Sequence, residues 1–322
     1  DDEPLQVQIS ALAYDDYIGR LGIGRVFKGK LDSSEQICIC SEGHEPRRGK
    51  ISKLSVYEGL KQVETDQAMS GEMVVVAGIP DIAIGETICS QDNPKPMGAI
   101  LIEEPTLSMN FMVNDSPFVG RSGKFVTTRH IKDRLEKELE VNVGLKVEPL
   151  ETTDGYRVSG RGELHLSILI ENMRREGYEL GVSKPQVLMH KDSEGNLLEP
   201  IERVTVSCPE AYSGTVINEL NLRKGLMESM EILDGDYVKI EFLVPTRGLL
   251  GYRSEFINAT RGEGTLLSSF ERFDDYKGEI PSRLNGVLVS QTAGKTMGYA
   301  LNALSSRGIL FVDPAIDVYE GM

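Results

Sequence analysis

Short apolar runs separated by glycines fill the first 90 residues. Leu5, Val7 and Ile9 alternate with polar residues, and similar runs recur at 23–27, 37–40, 51–56, 73–77 and 87–89. Alternation with a period of two is typical of strands with one buried face, and no helical stripe interrupts it. The pattern predicts a β-barrel over residues 1–97, which ends in a linker with two prolines at 91–96.

A pattern of mixed strands and helices follows this linker. The predicted elements have the order βαββαβ, and they are a strand at 107–113, a helix at about 128–140, strands at 141–147 and 156–158, a helix at about 163–175 and a strand at 178–182. In the first helix, Ile131, Leu135 and Leu139 form an apolar stripe, because residues four apart share a face. The order is typical of a ferredoxin-like sandwich, which we assign to residues 98–192.

The same order recurs after Pro200, so we assign a second ferredoxin-like sandwich to residues 193–282. Its predicted elements are a strand at 202–208, a helix at 213–223, a hairpin through Asp234 to a strand at 237–244, a helix at 249–258 and a strand at 265–273. Residues 283–322 then offer strands at 287–289 and 309–312 and a helix near 296–306. That is too little for an independent core. The predicted fold is therefore multidomain β and α+β.

Composition excludes several classes of protein. The formal net charge of −15 opposes nonspecific coating of nucleic acid, so any contact with RNA must be local. No apolar run of about 18 residues is present, and the first residues do not read as a signal peptide. The four cysteines form no CxxC pair. We therefore expect a cytoplasmic protein without a disulfide framework or a membrane partner. We also expect it to be a monomer.

Three motifs suggest chemistry, and each is better explained without it. Ala293–Thr296 reads AGKT, but a phosphate loop needs a glycine where Val289 stands, so we expect no GTP binding by these residues. Glu163 and His165 lie close together without a nucleophile or an orienting third group, so we predict no catalytic residues. Cys38 and Cys40 share a strand face near His44, but a structural zinc site needs four ligands, so we predict no metal site.

Clusters of basic residues are the natural places for an acidic protein to meet RNA. Either solvated surface or phosphate binding explains any one of them. The candidates are Arg47, Arg48, Lys50 and Lys53 in the barrel, Arg121, Lys124 and Arg129 beside Gly120 and Gly123, Arg247, Arg253 and Arg261 in the second sandwich, and Lys295. Arginines on glycine-rich loops favour contact with phosphates rather than base reading.

Longer motifs resemble a known family. Residues 159–166 read SGRGELHL and resemble a turn in domain III of elongation factor G and its relatives. Residues 251–264 resemble a stretch of domain V, and residues 14–31 resemble the barrel that follows the GTPase domain. The second sandwich follows the first without the further domain that elongation factor G inserts. This arrangement is similar to that of the BipA/TypA family of translational GTPases, and the resemblance covers the whole chain.

The resemblance implies a function for each segment. Residues 1–97 would be the domain II-like barrel, 98–192 and 193–282 the domain III-like and domain V-like sandwiches, and 283–322 the beginning of a family-specific C-terminal domain. The chain would be a piece that lacks the GTPase domain and ends within that last domain. GTP and Mg²⁺ would bind only the full-length protein, and the piece itself would need no cofactor.

The implied partners are the 70S ribosome, its rRNA and ribosomal proteins, and the missing GTPase domain. The implied role is docking at the elongation-factor site, in translation under stress and in ribosome assembly. Gly160, Gly162, Glu163 and His165 would form an interdomain turn, in which the glycines allow a tight bend and Glu163 favours the helix N-terminus.

Two other classes of function remain open. A freestanding RNA-binding protein could use the same βαββαβ order, but the central strands at 156–159 and 238–241 carry little aromatic character for stacking bases. An acid–base enzyme around Glu163 and His165 would lose turnover, with its stability intact, when both residues are replaced.

Overall fold

The structure is a computed structural model that describes residues 3–33, 35–151, 154–233, 235–280 and 286–322. It is mostly β, with several sheets and few helices, in agreement with the sequence patterns. The chain forms two compact units. One holds the residues up to Asn114, Gly120–Arg203 and Ser268–Tyr276, and the other holds Asp115–Val119, Val204–Leu267 and the residues from Lys277 onward.

In the described residues, the N-terminal domain consists of ten strands. They are β1 (Gln6–Asp15), β2 (Gly19–Lys28), β3 (Lys30–Asp32), β4 (Gln36–Cys40), β5 (Arg47–Lys50), β6 (Lys53–Glu58), β7 (Lys61–Glu64), β8 (Gln67–Met69), β9 (Met73–Ala77) and β10 (Thr87–Ser90). Eight of them form one antiparallel sheet in the order β5-β4-β10-β1-β2-β9-β6-β7, and β3 pairs with β8.

One core serves this whole sheet. Ile39 of β4 and Leu54 of β6 lie far apart in the strand order, yet both belong to the same buried cluster, with Val7 and Ile9 of β1 between them in that order. The alternation seen in the sequence explains the inward position of Val7 and Ile9, because side chains two apart on a strand point to the same face. Leu31 of β3 and Ala68 of β8 complete the core from the small sheet.

The described residues of the first α+β domain form two helices and five strands. They are β11 (Leu107–Val113), α1 (Thr128–Val141), β12 (Lys146–Pro149), β13 (Gly155–Gly160), α2 (Glu163–Glu176), β14 (Leu180–Val182) and β15 (Gln186–Val187). The sheet order is β12-β13-β11-β14, with β15 also beside β11. The strand predicted at 141–147 begins too early, because Val141 belongs to the last helical turn and Asn142 caps it.

Helix α1 forms where the apolar stripe predicts it. Thr127 accepts a hydrogen bond from the His130 backbone N–H at the N-cap, and Ile131 and Leu135 are fully buried. Leu139 is 36% exposed, so the buried stripe is one turn shorter than predicted. Two ion pairs between residues four apart, Lys132–Glu136 and Arg134–Glu138, run along this helix.

The second α+β domain repeats the strand order of the first. It contains β16 (His190–Lys191), β17 (Leu197–Pro209), α3 (Glu210–Leu222), β18 (Leu226–Leu233), β19 (Tyr237–Pro245), α4 (Thr246–Leu249), α5 (Tyr252–Ala259) and β20 (Thr265–Asp275). The sheet order is β16-β17-β19-β18, with β20 beside β17. In both domains the third strand of the βαββαβ order therefore lies between the first and the second.

The predicted helix at 249–258 is two helices in the structure. Gly251 has a φ of +73°, in the left-handed region, and this backbone conformation separates α4 from α5. Helix α3 begins at Glu210, three residues earlier than predicted, directly after Pro209. Asp234 of the predicted hairpin lies outside the described residues.

The last segment differs most from its prediction. No strand forms at 287–289 or 309–312 in the described part of the chain, and two short strands, β21 (Gly294–Lys295) and β22 (Asp317–Val318), pair instead. Helix α6 (Gly298–Leu304) forms where a longer helix was predicted. Apolar runs favour strands only where a ladder partner exists. The predicted domain boundary at 282/283 lies outside the described residues.

Candidate RNA-binding surface

The loop from Gly120 to Lys124 wraps around a buried carboxylate. Glu179 precedes β14, is only 9% exposed, and accepts hydrogen bonds from the backbone N–H groups of Gly120 (3.0 Å), Ser122 (2.9 Å) and Gly123 (3.1 Å). The Asn114 side-chain amide adds a fourth at 2.6 Å. Three backbone N–H groups of one short loop thus point at a single side chain, which fixes the shape of the loop.

The electrostatics of Glu179 follow from these donors. Burial by itself would raise the pKa of Glu179, but the hydrogen bonds from Ser122, Asn114, Gly120 and Gly123 outweigh burial and lower it. The carboxylate therefore stays ionised at neutral pH. Glu179 was not predicted from the sequence. The signal that could have pointed to it is the glycine-rich loop, because its backbone N–H groups need an acceptor and none is close by in the sequence.

Close packing requires a small residue in this loop. A Cβ atom on Gly123 would lie 2.6 Å from the Gly177 carbonyl oxygen, closer than real Cβ contacts allow. The same carbonyl oxygen accepts hydrogen bonds from the N–H groups of Lys124 (3.0 Å) and Phe125 (3.1 Å). The loop is therefore held from two sides, by Glu179 and by the end of α2.

An aromatic cluster supports the end of the loop. The Phe125 ring lies 4.7 Å from the Tyr178 ring and 5.1 Å from the His130 ring, and the Lys124 ammonium lies 4.8 Å from the Phe125 centroid. A cation over an aromatic face is attracted to it, which restrains the Lys124 side chain. Arg121 and Lys124 are exposed on the loop, and Arg129 is exposed in the first turn of α1. The loop and the helix start therefore bring together the second predicted cluster.

The barrel cluster is divided by the structure. Arg47 of β5 forms ion pairs with Asp81 and with Glu86 (2.6 Å), so its guanidinium is already engaged within the N-terminal domain. Lys53 of β6 pairs with Glu64 at 3.0 Å. Arg48 and Lys50 are exposed two residues apart on β5, which places them on one face of that strand. These two therefore present the outward positive charge of the cluster.

Arg247 and Arg253 of the second α+β domain lie on either side of the α4–α5 turn, and Arg261 follows the end of α5. Arg247 donates to the Gly278 carbonyl oxygen at 2.5 Å and is half-buried. Arg253 is exposed on α5, with the Leu266 carbonyl oxygen 3.5 Å away. Arg261 is exposed after α5, and its guanidinium carbon lies 5.9 Å from the Tyr212 centroid. Arg253 and Arg261 are thus the outward members of this cluster.

Contacts of Tyr252 and Arg223 inside the same domain fix the α4–α5 turn. The fully buried Tyr252 donates its hydroxyl to Glu219 (3.0 Å) and carries the Arg223 guanidinium 4.9 Å above its ring. Arg223 also donates to the Gly248 carbonyl oxygen (2.8 Å) and to Glu255 (2.7 Å). Burial and the Glu219 carboxylate raise the pKa of Tyr252, so the hydroxyl remains a donor at all ordinary pH values.

Lys295 does not belong to a phosphate cradle. Gly294 and Lys295 form a two-residue strand paired with Asp317–Val318, and α6 begins only at Gly298. A phosphate loop instead wraps its backbone N–H groups around the phosphate directly before a helix. These residues therefore do not fit GTP and Mg²⁺. Lys295 is exposed, as a contact to RNA requires.

The SGRG turn joins β13 to α2 inside the first α+β domain. His165 Nδ1 accepts a hydrogen bond from the Arg161 N–H (3.2 Å), and Nε2 lies 2.8–3.1 Å from the Asn142 side-chain amide. Burial and then Arg161 lower the pKa of His165, so the ring is neutral at pH 7. These contacts give His165 a structural role, and the predicted interdomain role of the turn stays a prediction.

The glycines of this turn differ in their importance. A Cβ on Gly160 would lie 2.9 Å from His165 Nδ1 and 2.9 Å from the Leu166 side chain, so a glycine is needed there. Gly162 has an extended φ of 174° and open space around its Cβ position, so the structure gives no steric reason for glycine. Glu163 opens α2 as predicted.

Three of the four cysteines form a buried cluster. Cys38, Cys40 and Cys89 contact one another, and burial followed by the neighbouring Cys89 raises the pKa of Cys40 to about 12. His44 is exposed and its ring lies near the Glu42 carbonyl oxygen. Within the described ranges, no group of three ligands is arranged to hold a metal ion. Nor is any helix of those ranges long and apolar enough to cross a membrane.

Two families match separate parts of the chain. Residues 196–284 match the family described as Elongation factor G C-terminus, and residues 285–322 match the TypA/BipA C-terminal domain. A crystal structure of the protein ttk003000868 from Thermus thermophilus is similar in fold. It has a TM-score of 0.53 and 17% identity, and the match covers 85% of this chain and 56% of that one.

Relatives of known name match the chain from end to end. The protein named large ribosomal subunit assembly factor BipA is 46% identical over 322 residues in Bacillus subtilis and 46% identical over 321 residues in Escherichia coli K12. The Synechocystis protein of the same name is 45% identical over 320 residues. These matches cover 99–100% of this chain but only 52–53% of the relatives, so the chain spans about half of their length.

Proposed function

Because the chain belongs to the TypA/BipA family, we propose that it is the ribosome-docking part of a translational GTPase. It binds the 70S ribosome at the elongation-factor site, through rRNA and ribosomal proteins, and acts in large-subunit assembly and in translation under stress. GTP and Mg²⁺ bind a GTPase domain that is part of the longer relatives. The chain carries no hydrolysis of its own, and the protein works in the cytoplasm as a monomer.

The observation that carries this proposal is the extent of the identity. At 46% over the full chain, the likeness to proteins named as ribosomal subunit assembly factors includes every domain rather than one motif. Function belongs to sites rather than to folds, so the likeness in fold alone would not suffice. The matched length spans both the glycine-rich loop of the first α+β domain and the α4–α5 turn of the second.

The finer domain arrangement is part of the proposal. We assign a domain II-like barrel to residues 1–97, ferredoxin-like sandwiches to 98–192 and 193–282, and the beginning of a family-specific domain to 283–322. The single core of the ten-stranded domain supports the barrel, and the repeated strand order supports the two sandwiches.

Local positive charge on an acidic protein supports RNA as the contacted material. The outward residues Arg48, Lys50, Lys124, Arg253 and Arg261 lie on an edge strand, a loop and helix ends, while the net charge is −15. Such a distribution suits contact at a few phosphates, because bulk attraction to RNA is absent.

Co-sedimentation with 70S ribosomes tests this function. The protein should pellet with ribosomes at low salt, and the apparent affinity should fall steadily as KCl is raised, because phosphate contacts release counterions. A double variant, Arg253→Ala with Arg261→Ala, should pellet less at every salt concentration. Absence of pelleting even at the lowest salt would end the proposal for this chain.

A further inference from the structure

We propose that Glu179 is a positioning residue, which holds the loop Gly120–Lys124 in the shape that contacts RNA phosphates of the ribosome. This inference rests on the proposed ribosome docking and adds one element to it. The loop is a prebuilt phosphate-binding element whose conformation depends on a carboxylate that itself touches no RNA.

The geometry of the loop supports this role. Four donors converge on Glu179, three of them backbone N–H groups of Gly120, Ser122 and Gly123, at 2.9–3.1 Å. Those N–H groups are therefore used internally, and the side chains carry any outward contact. Arg121 lies within the held segment, Lys124 follows it directly, and both side chains are exposed. A loop fixed in advance loses less conformational freedom on binding, so its contacts contribute more to affinity.

The negative charge of Glu179 lies beside a basic cluster, which makes its positioning role testable. A carboxylate beside a basic cluster should weaken RNA binding if only its charge mattered, because it repels phosphates. Its burial under four donors instead indicates a structural use of the charge. If only the charge of Glu179 mattered, removing it should strengthen RNA binding. If Glu179 positions the loop, removing the charge should weaken binding.

The first experiment compares Glu179→Gln with a charge-matched control. Glu194→Gln removes one negative charge from an exposed hairpin outside the loop. Binding of the full chain to 70S ribosomes is measured at several KCl concentrations. Glu179→Gln should weaken binding by roughly tenfold, since the loop must then be ordered on binding, while Glu194→Gln leaves affinity unchanged or slightly raised. Tighter or unchanged binding by Glu179→Gln overturns the inference.

A double-mutant cycle separates positioning from general damage. The double variant Arg121→Ala with Lys124→Ala should weaken ribosome binding. Adding Glu179→Gln to it should cause no further loss of affinity, because the two basic side chains that the loop positions are already gone. A further full loss in that background would mean that Glu179 acts elsewhere, and the inference would be wrong. Thermal unfolding of each variant identifies any that does not fold.

A second route disturbs the loop without changing Glu179. Gly123→Ala places a Cβ against the Gly177 carbonyl oxygen, so the loop must shift while the carboxylate remains. It should weaken ribosome binding as Glu179→Gln does. Wild-type affinity for Gly123→Ala would contradict a need for this loop shape, even if Glu179→Gln failed to fold.

The salt dependence distinguishes RNA from protein as the material contacted. Each lost phosphate contact should reduce the slope of log affinity against log salt by about 0.7–0.9, so losing Arg121 and Lys124 should reduce it by roughly 1.4–1.8. Weaker binding with an unchanged slope would indicate a ribosomal protein and overturn the inference. If wild-type protein binds ribosomes but every loop variant binds equally well, the inference fails and the proposed function stands. If wild-type protein does not bind, both fail.

Discussion

At the scale of single residues, His165 makes the first α+β domain sensitive to acid. Its Nδ1 accepts a hydrogen bond from the Arg161 N–H, and a protonated ring cannot accept it. Burial lowers the pKa of His165 below its ordinary value of 6.5, so the folded state binds this proton more weakly than the unfolded chain does. The stability that this group contributes is present above pH 6.5 and is lost as the pH falls through the folded pKa.

We expect the free energy of unfolding to begin to fall below about pH 6.5. His165→Gln should remove that part of the pH dependence, while His44→Gln, at an exposed histidine of the barrel, should keep it because His165 remains. Urea unfolding at a series of pH values measures this. A His165→Gln variant with the wild-type pH profile would show that another group is responsible.

Single residues also mark the limit of prediction from sequence. Arg47 was chosen because it stands in a basic run, but its partners Asp81 and Glu86 are 34 and 39 residues away and only the fold brings them close. Glu179 was not predicted for the same reason, since the backbone N–H groups that donate to it lie 56–59 residues earlier in the sequence. Composition and local spacing reveal which charges exist. They do not reveal which charges are already engaged.

At the scale of elements, Arg134 joins the two helices of the first α+β domain. Its guanidinium donates to Glu138 of the same helix (2.9 Å) and to both carboxylate oxygens of Glu176 in α2 (2.6 and 2.9 Å). The side chain is only 13% exposed, and these carboxylates hold the pKa of Arg134 above its ordinary value. A bidentate pair in this setting fixes both spacing and register of the helices.

Replacing Arg134 with alanine should destabilise the domain by about 1.5–3 kcal/mol, because a charged hydrogen-bond network is lost and Glu138 is left partly buried. Lys132→Ala removes an exposed pair on the same helix and should cost under about 0.5 kcal/mol. Chemical denaturation compares the two variants. Equal and small losses in the free energy of unfolding would mean that the hydrogen bonds of Arg134 contribute little to stability.

The elements were predictable where a periodic pattern had a core to face. Ile131 and Leu135 are buried as the stripe predicted, and α2 ends at Glu176, close to the predicted end at about 175. The α4–α5 break was missed because Leu249 and Leu250 continue a helical apolar pattern across Gly251, whose backbone conformation interrupts it. The predicted strands at 287–289 and 309–312 are absent from the described residues, because an apolar run forms a strand only beside a partner strand, and the sequence alone does not show whether one is present.

At the scale of the whole molecule, the N-terminal β domain and the first α+β domain belong to one compact unit. Arg20 of β2 donates to Glu140 of α1 at 2.6 and 3.1 Å, and Lys137 of α1 donates to Asp16 at 3.0 Å. Both pairs join the β1–β2 hairpin to the last turns of the same helix. The hairpin and this helix end should therefore open together in native-state fluctuations.

We expect Arg20→Ala to lower amide protection in two places at once, at residues 15–20 and at residues 137–141. Lys28→Ala, which removes an exposed pair with Glu3 at 2.9 Å, should change neither segment. Hydrogen exchange followed by mass spectrometry reports both peptides in one experiment. Loss of protection in the hairpin alone would show that the pairs do not couple the two domains.

Docking at the elongation-factor site can be tested by competition. Labelled protein bound to 70S ribosomes is titrated with unlabelled elongation factor G, and the bound fraction is followed by fluorescence anisotropy. We expect full displacement, with mutually exclusive binding, because both proteins would occupy the same site. Simultaneous binding of the two proteins with unchanged affinities would contradict it.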